Sequence, residues 1–292
     1  MAYTAAGLLG AWSSRRKPGQ KGLIAISIDQ RNHGSRMIHN LANLSWSGGN
    51  KTHGPDMFNL YSGTASDVSH LISHLPAYLP GNVFEHVCVG VSLGGHATWV
   101  LLMNDPRVKA GIVVIGCPDY TRLMTDRAIR GKLPTCLDTD PPGQNFVGSE
   151  DFPPSLVAAV QERDPAGILL RAHKLDTGTA LSDQVPVPSA SQQPEMREAI
   201  AKHLREKKII VLSGGKDRLV PYACGAPFLT WLKKAVDPKD GWCDGFGIQV
   251  EDIVDPDGRH EFSALMRTEA ERWLCDLLTG EGKMAAGRAS KM

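Results

Sequence analysis

The 292-residue sequence lacks an excess of charge of either sign and lacks long hydrophobic runs. Lys and Arg number 32 and Asp and Glu number 31, so no overall positive field exists to attract a phosphate backbone or an anionic membrane. No apolar run approaches the roughly 18 residues that span a bilayer. We therefore predict a soluble protein with no nucleic-acid partner and no membrane span.

Paired cysteines and a secretory leader are also missing. The N-terminal stretch has no basic-then-apolar pattern, and no two cysteines have CxxC spacing. The six cysteines are Cys88, Cys117, Cys136, Cys224, Cys243 and Cys275. This pattern predicts reduced thiols in an intracellular protein.

Short β-rich runs alternate with helical patterns along the chain, which is typical of a parallel sheet with crossover helices. Strands are predicted at 22–29, 84–92, 108–116, 207–215 and 247–254. Helices are predicted at 66–75, 94–103, 227–236 and 261–278. The sequence therefore predicts an α/β fold with a mostly parallel sheet flanked by helices.

The alternation breaks after the third predicted strand. The following stretch is irregular and rich in proline, with helical islands at 155–164 and 195–207. Such an excursion between strands is typical of a cap or lid. We predict a core of 1–116 and 207–279, a cap insertion of 117–206, and a flexible tail of 280–292.

A serine between glycines, Gly90-Val91-Ser92-Leu93-Gly94, ends the second predicted strand and precedes a predicted helix. G-x-S-x-G at a sharp strand-to-helix turn lifts the serine hydroxyl clear of the backbone and is typical of a nucleophile. A glycine-rich turn with an incidental serine is the alternative.

A carboxylate and a histidine follow Ser92 in chain order, each just after a predicted strand. Asp217 follows the strand 207–215, and His260 follows the strand 247–254 and opens the predicted last helix. Alone, Asp217 would be interpreted as a helix cap and His260 as a surface or core residue. Together they predict the acid and base of a Ser-Asp-His triad, since successive strand ends meet at one sheet edge.

These residues resemble the α/β-hydrolase superfamily over nearly the whole chain. The matching phrases are VGVSLGG, SGGKDRLVP, DGRHEF and SIDQRNHGSR. The resemblance implies that Ser92 is the nucleophile, Asp217 the acid and His260 the base. It also implies that the Leu93 backbone N–H is one oxyanion donor.

The resemblance further implies a structural turn that supports the serine. That turn comprises Asp29, Arg31, Asn32, His33 and Gly34. His33 and His96 lie near the expected mouth of the site, and we predict that both form scaffold hydrogen bonds.

The triad predicts acyl transfer from a small-molecule ester or thioester through an acyl-enzyme, which water resolves. This chemistry requires no metal or organic cofactor. An acyltransferase with the same triad and a weakly catalytic or non-catalytic binding protein remain as alternatives.

Substrate choice is expected to lie in the 117–206 insertion. An apolar acyl pocket lined by Cys117, Tyr120, Leu123 and Met124 is one hypothesis, and ordinary cap core is the other. A pocket rim or a packed Ω-like loop is predicted for Trp46, Asn50, His53 and Asp56.

Several longer phrases resemble fungal esterase/lipase-like hydrolases, some of which belong to secondary-metabolite clusters. The phrases are DQRNHGSR, the tract 43–72, and IGCPDY with LMTDRA. At the C-terminus, Ser290-Lys291-Met292 resembles the Ser-Lys-Leu peroxisomal address. We predict a peroxisomal import receptor as a partner, with a cytoplasmic location as the alternative.

A second oxyanion donor is missing from the expected position. The resemblance implies a His-Gly loop before the N-terminal stretch, which itself looks like the helix that follows this loop. Loss of one such donor costs about 2.7–4 kcal/mol of transition-state stabilisation. We therefore predict an N-terminally shortened, poorly folding and weakly active hydrolase. Its nucleophile strand has an unpaired edge unless the strand 22–29 slides inward to cover it.

Overall fold

The centre of the computed structural model, which describes residues 2–79, 85–176 and 184–280, is a sheet of four parallel strands. Strands that are consecutive in the chain are also neighbours in the sheet. The connections between them therefore all cross the sheet on the same face. The strands are β1 (His86–Val91), β2 (Val108–Val114), β3 (Lys208–Gly214) and β4 (Gln249–Asp255). The predicted α/β class with a parallel sheet is confirmed.

Helices cover both faces of this sheet. In the described residues they are α1 (Ala2–Arg15), α2 (His53–His74), α3 (Leu93–Asn104), α4 (Tyr120–Arg130), α5 (Pro134–Leu137), α6 (Pro154–Arg163), α7 (Gln193–Leu204), α8 (Tyr222–Ala235) and α9 (Ala264–Thr279). A π-helical turn occupies Gly167–Arg171. None of the described helices is long and apolar enough to cross a bilayer.

The predicted helices were found, but two of them begin earlier than expected. The helix predicted at 66–75 is the second half of α2. The helix predicted at 227–236 belongs to α8, which already begins at Tyr222 and contains Pro227 in its interior. Proline is common at the first position of a helix because it lacks an N–H. The sequence therefore predicts a helix that begins at Pro227, although α8 begins five residues earlier.

Alternate residues of β3 face opposite sides of the sheet. Ile209 and Val211 pack into the larger hydrophobic cluster, with side chains of α2, α3 and α8. Ile210 and Leu212 pack into the second cluster, with α1 and α9. Burial on both faces explains why this strand is a continuous apolar run in the sequence.

Residues 22–29 do not form the predicted buried strand. The segment pairs with no strand in the described part of the chain, and Ile24 and Ile26 are 59% and 46% exposed. An apolar run becomes a strand only when a neighbour accepts its hydrogen bonds, and sequence composition does not reveal that neighbour. Because 22–29 is not a strand, the irregular region 117–206 follows β2, the second strand of the observed sheet, and not a third strand as predicted.

The outer edge of β1 carries no strand partner among the described residues, as expected if the segment 22–29 does not slide inward. Most β1 residues are only half-buried, whereas β2 is buried along nearly its whole length. Within the described residues, β1, the strand that leads to Ser92, is therefore an edge of the sheet.

Buried ion pairs join the start of the 117–206 region to its middle. Asp119 is fully buried, caps α4 by accepting the Arg122 N–H at 2.9 Å, and accepts Arg171 Nη2 at 2.7 Å. Arg122 also donates to Asp176 at 2.8 Å. Each buried charge in this network has an opposite charge beside it, which offsets the cost of removing it from water.

Candidate active site

Ser92 lies at the turn between β1 and α3 in a strained backbone conformation. Its φ of 56° and ψ of −117° belong to a region that residues with a side chain rarely adopt. Its N–H donates to the Val114 carbonyl of β2 at 2.9 Å. This bond ties the turn to the neighbouring strand, so the strained serine is held by the sheet.

Two glycines allow the close approach that this turn needs. A Cβ atom on Gly90 would overlap the carbonyl of Gly94, and one on Gly95 would lie 2.7 Å from the Val114 oxygen. A Cβ on Gly94 itself would meet nothing nearer than the Gln30 side-chain amide at 3.4 Å. The tight steric requirement therefore falls on Gly90 and Gly95.

Ser92, His260 and Asp217 form a continuous hydrogen-bonded relay. Ser92 Oγ lies 2.8 Å from His260 Nε2, and His260 Nδ1 lies 2.8 Å from Asp217 Oδ2. The three residues follow β1, β4 and β3, whose carboxyl ends share one edge of the sheet. The structure thus brings together all three residues that the sequence places in one site.

His260 precedes the last helix instead of opening it. The helix α9 begins at Ala264, and its N-cap Ser263 accepts the Met266 N–H at 3.3 Å. Ser263 also donates to Asp255 Oδ2 at 2.6 Å, which anchors the connection to the end of β4. His260 is therefore held in a short loop fixed at both ends.

The surroundings of Asp217 keep its carboxylate ionised. Burial acts to raise the pKa of Asp217, but hydrogen bonds from His260 and from the Val220 and Leu219 N–H groups outweigh it and lower the pKa. Those two N–H groups lie 3.0 and 2.8 Å from Asp217 Oδ1. A buried carboxylate in this setting can hold His260 in one tautomer and stabilise its cation.

Leu93 is the first residue of α3, and its backbone N–H has no partner in the described residues. The first N–H groups of a helix point outward and carry partial positive charge, which suits a developing oxyanion. The Gln30 side chain lies beside the same turn, next to Gly94, and its Oε1 is buried without a described partner.

His96 and His33 both contact backbone carbonyls. His96 Nδ1 lies 3.0 Å from the Ser92 carbonyl oxygen, and His33 Nδ1 lies 3.0 Å from that of Arg31. Burial, together with the charges of Arg127 and His260, lowers the pKa of His96 to about 4. A neutral His96 thus donates to the backbone of the proposed nucleophile.

The predicted structural turn is attached to α2. Arg31 donates to both carboxylate oxygens of Asp67, at 3.0 and 2.7 Å, and its backbone N–H donates to Thr64 Oγ1 at 3.0 Å. Asp29 accepts the N–H of Ser35 at 2.8 Å. This attachment brings Gln30 to the Ser92 turn.

The residues proposed to line an acyl pocket lie in the main hydrophobic cluster. Tyr120, Leu123 and Met124 are fully buried, and Cys117 is nearly so. Tyr120 donates its hydroxyl to the Gly54 carbonyl at 2.5 Å. In this structure they act as core, and their contact with an acyl group stays a prediction.

The tract around Trp46 is only partly a loop. His53 and Asp56 lie in the first turn of α2, and the Trp46 ring packs edge-on against His53 with centroids 4.8 Å apart. Asn50 donates to Asp56 at 3.0 Å. The interpretation of an Ω-like loop was therefore wrong for His53 and Asp56, because the helix begins before the apolar periodicity becomes clear.

One residue beside the hydrogen-bonded relay was not predicted from the sequence. Arg127 of α4 donates to His53 Nε2 at 3.1 Å and to the Leu219 carbonyl, in the loop of Asp217, at 2.9 Å. An arginine on an amphipathic helix predicts an exposed position, so no sequence signal pointed to it. Among the described residues, no group of three or more His, Cys, Asp or Glu side chains is placed to hold a metal ion.

Comparisons with known proteins give matches among solved structures only. No family model matches the chain, and no curated protein matches it. Arabidopsis thaliana SOBER1 is 16% identical over 74% of this chain and 63% of its own, with a TM-score of 0.37. The Pyrococcus furiosus esterase Pf2001 is 13% identical over 76% of this chain and 63% of its own, with a TM-score of 0.41.

A third similar structure is the Pyrococcus horikoshii acylaminoacyl peptidase, 11% identical over 78% of this chain and 27% of its own, with a TM-score of 0.40. At 63% coverage, this chain spans less than two thirds of the length of SOBER1. Its own geometry defines the architecture: a parallel sheet, a strained serine turn after one strand, and an acid and a histidine after later strands. In the described part of the chain, this arrangement is that of an α/β-hydrolase fold.

Proposed function

We propose that the chain is a serine esterase or thioesterase that acts on a small, fatty-acyl or polyketide-type substrate. The observation that supports this most directly is the relay of two 2.8 Å contacts from Ser92 through His260 to Asp217. A strained serine, a partly exposed histidine and a buried carboxylate are the parts that acyl transfer needs.

In the proposed reaction, His260 Nε2 removes the Ser92 proton as Oγ attacks the substrate carbonyl. Asp217 stabilises the imidazolium, and the Leu93 N–H donates to the oxyanion. Collapse of the tetrahedral intermediate expels the alcohol or thiol, which takes the proton from His260. Water then attacks the acyl-enzyme by the same route and releases the acid.

We expect a fluorophosphonate probe to label Ser92 covalently, because the probe requires an activated serine hydroxyl. Intact-mass analysis should show one adduct on the wild-type chain and none on Ser92→Ala. Ser14→Ala, which removes an exposed serine of α1, is the matched control and should remain labelled. Equal labelling of Ser92→Ala and the wild type would exclude Ser92 as the nucleophile.

Product analysis separates hydrolysis from acyl transfer to another acceptor. With an ester substrate and a competing alcohol or thiol, a hydrolase releases mainly the free acid, whereas an acyltransferase gives mainly the exchanged ester or thioester. We further propose a role in fungal secondary metabolism, and this rests on the resemblance of phrases such as DQRNHGSR alone.

We also propose import into peroxisomes, supported by Ser290-Lys291-Met292, which lies outside the described residues. A fluorescent protein carrying residues 281–292 at its C-terminus is expected to collect in punctate organelles of a fungal cell. The same fusion with Lys291→Glu is the control and should be diffuse. Diffuse fluorescence of both fusions would leave the cytoplasm as the location.

A further inference from the structure

Arg127 is a half-buried cation with no carboxylate partner among the residues that the structure describes. Its Nη1 donates to His53 Nε2 at 3.1 Å and contacts Met57 Sδ at 3.0 Å, and its Nη2 donates to the Leu219 carbonyl at 2.9 Å. Burial lowers the pKa of His53 to about 4, so all three partners are uncharged at neutral pH. The Nε–H and one Nη2–H have no partner in the described part of the chain.

Two other buried arginines of the same region are paired. Arg171 contacts Asp119 at 2.7 Å, and Arg122 contacts Asp176 at 2.8 Å. In this part of the fold, these two buried guanidinium groups thus lie against carboxylates, which offsets the several kcal/mol that an unpaired buried charge costs. Arg127 lacks such a partner, and burial lowers the pKa of its guanidinium.

Arg127 stands beside the triad. Leu219, whose carbonyl accepts from Arg127, donates its own N–H to Asp217 at 2.8 Å. The charges of Arg127 and His260 both act on His96, the residue that contacts the Ser92 carbonyl. An anion held by Arg127 would therefore lie close to the acyl-transfer machinery.

We propose that Arg127 binds a carboxylate of the substrate and so selects esters or thioesters that carry a free acid group. A guanidinium with a free Nε–H and a free Nη2–H presents adjacent donors that match the two oxygens of a carboxylate. The substrate class is then a half-ester of a dicarboxylic acid or a comparable acyl chain with a terminal carboxylate. This inference rests on the proposed hydrolase function and specifies its substrate.

The test compares 4-methylumbelliferyl half-esters of adipic to sebacic acid with the hexanoate to decanoate esters of matching length. For at least one acyl-chain length, wild-type kcat/KM should be about tenfold or more higher for the half-ester than for the matching ester. A factor of this size is expected from one charge-assisted hydrogen-bonded contact. Arg127→Gln should lose this preference and Arg127→Lys should keep part of it. Arg130→Gln, which removes a donor to the neighbouring Arg218 carbonyl at 2.6 Å, is the matched control and should keep it.

A loss of kcat/KM that is equal for both substrate series in Arg127→Gln would overturn the inference, since Arg127 would then only position the loop of Asp217. A binding measurement covers the case of no turnover. By calorimetry, Ser92→Ala should bind the monomethyl half-ester of the preferred diacid, or of suberic acid, at least about tenfold more tightly than Ser92→Ala/Arg127→Gln. Binding that depends on Arg127 without turnover would support this inference while the proposed function fails. Equal binding would overturn it.

Discussion

Replacement of His260 with alanine is expected to lower kcat for ester hydrolysis by about 10⁴ to 10⁶. The His260 Nε2 atom is the one described base within 2.8 Å of Ser92 Oγ, and without it the hydroxyl keeps its proton. KM should change little, because the imidazole acts on the serine and not on the acyl chain. Steady-state kinetics with a 4-nitrophenyl ester measure both parameters.

His70, an exposed residue of α2, is the matched control for this experiment. His70→Ala should retain wild-type kinetics, which shows that the loss belongs to the relay. Asp217→Asn should lower kcat by about 10⁴-fold, because the amide no longer holds His260 in the productive tautomer. If His260→Ala keeps more than a tenth of wild-type activity, the relay is not the catalytic device.

Asp119→Ala is expected to lower the free energy of unfolding by about 3–5 kcal/mol. The substitution removes a fully buried carboxylate that contacts Arg171 at 2.7 Å and Arg122 at 3.3 Å, and it removes the cap of α4. Two buried guanidinium groups would then share Asp176 as the acceptor carboxylate seen in this network. Urea denaturation followed by circular dichroism measures the loss.

Asp126→Ala provides the control on the same helix. Asp126 pairs with Arg130 four residues later, in a more exposed setting, so the loss should stay within about 0.5 kcal/mol. Asp119→Asn should fall between the two, since the amide oxygen can still accept the two hydrogen bonds made to Oδ1, whereas the charge and the oxygen that faces Arg122 Nε are lost. Equal effects of Asp119→Ala and Asp126→Ala would contradict the assignment of the buried network as a stabilising element.

The sequence was sufficient to locate the relay because its three members follow parallel strands. Ser92, Asp217 and His260 are each separated from the next by dozens of residues, yet the carboxyl ends of such strands share one edge. The alternation of strand and helix predicts this edge without any knowledge of packing. Continuous apolar runs such as β3 identify the central strands for the same reason.

The segment 22–29 shows where this reasoning fails. Its composition is that of a buried strand, but a strand requires a partner with free N–H and C=O groups in register, and the described segment has none. Arg127 was unpredictable for a related reason. Its environment combines α2, α4 and the loop of Asp217, three parts of the chain that meet only after folding.

The strained backbone of Ser92 lowers the stability of the native state in order to position the side chain of the proposed nucleophile. Its φ of 56° with ψ of −117° suits a glycine, and a residue with a Cβ atom held there costs of the order of 1–3 kcal/mol. A chain with Ser92→Gly would relieve that strain and lose the hydroxyl. The native state would then be more stable without its proposed nucleophile, which is the expected compromise where a strained residue carries the chemistry.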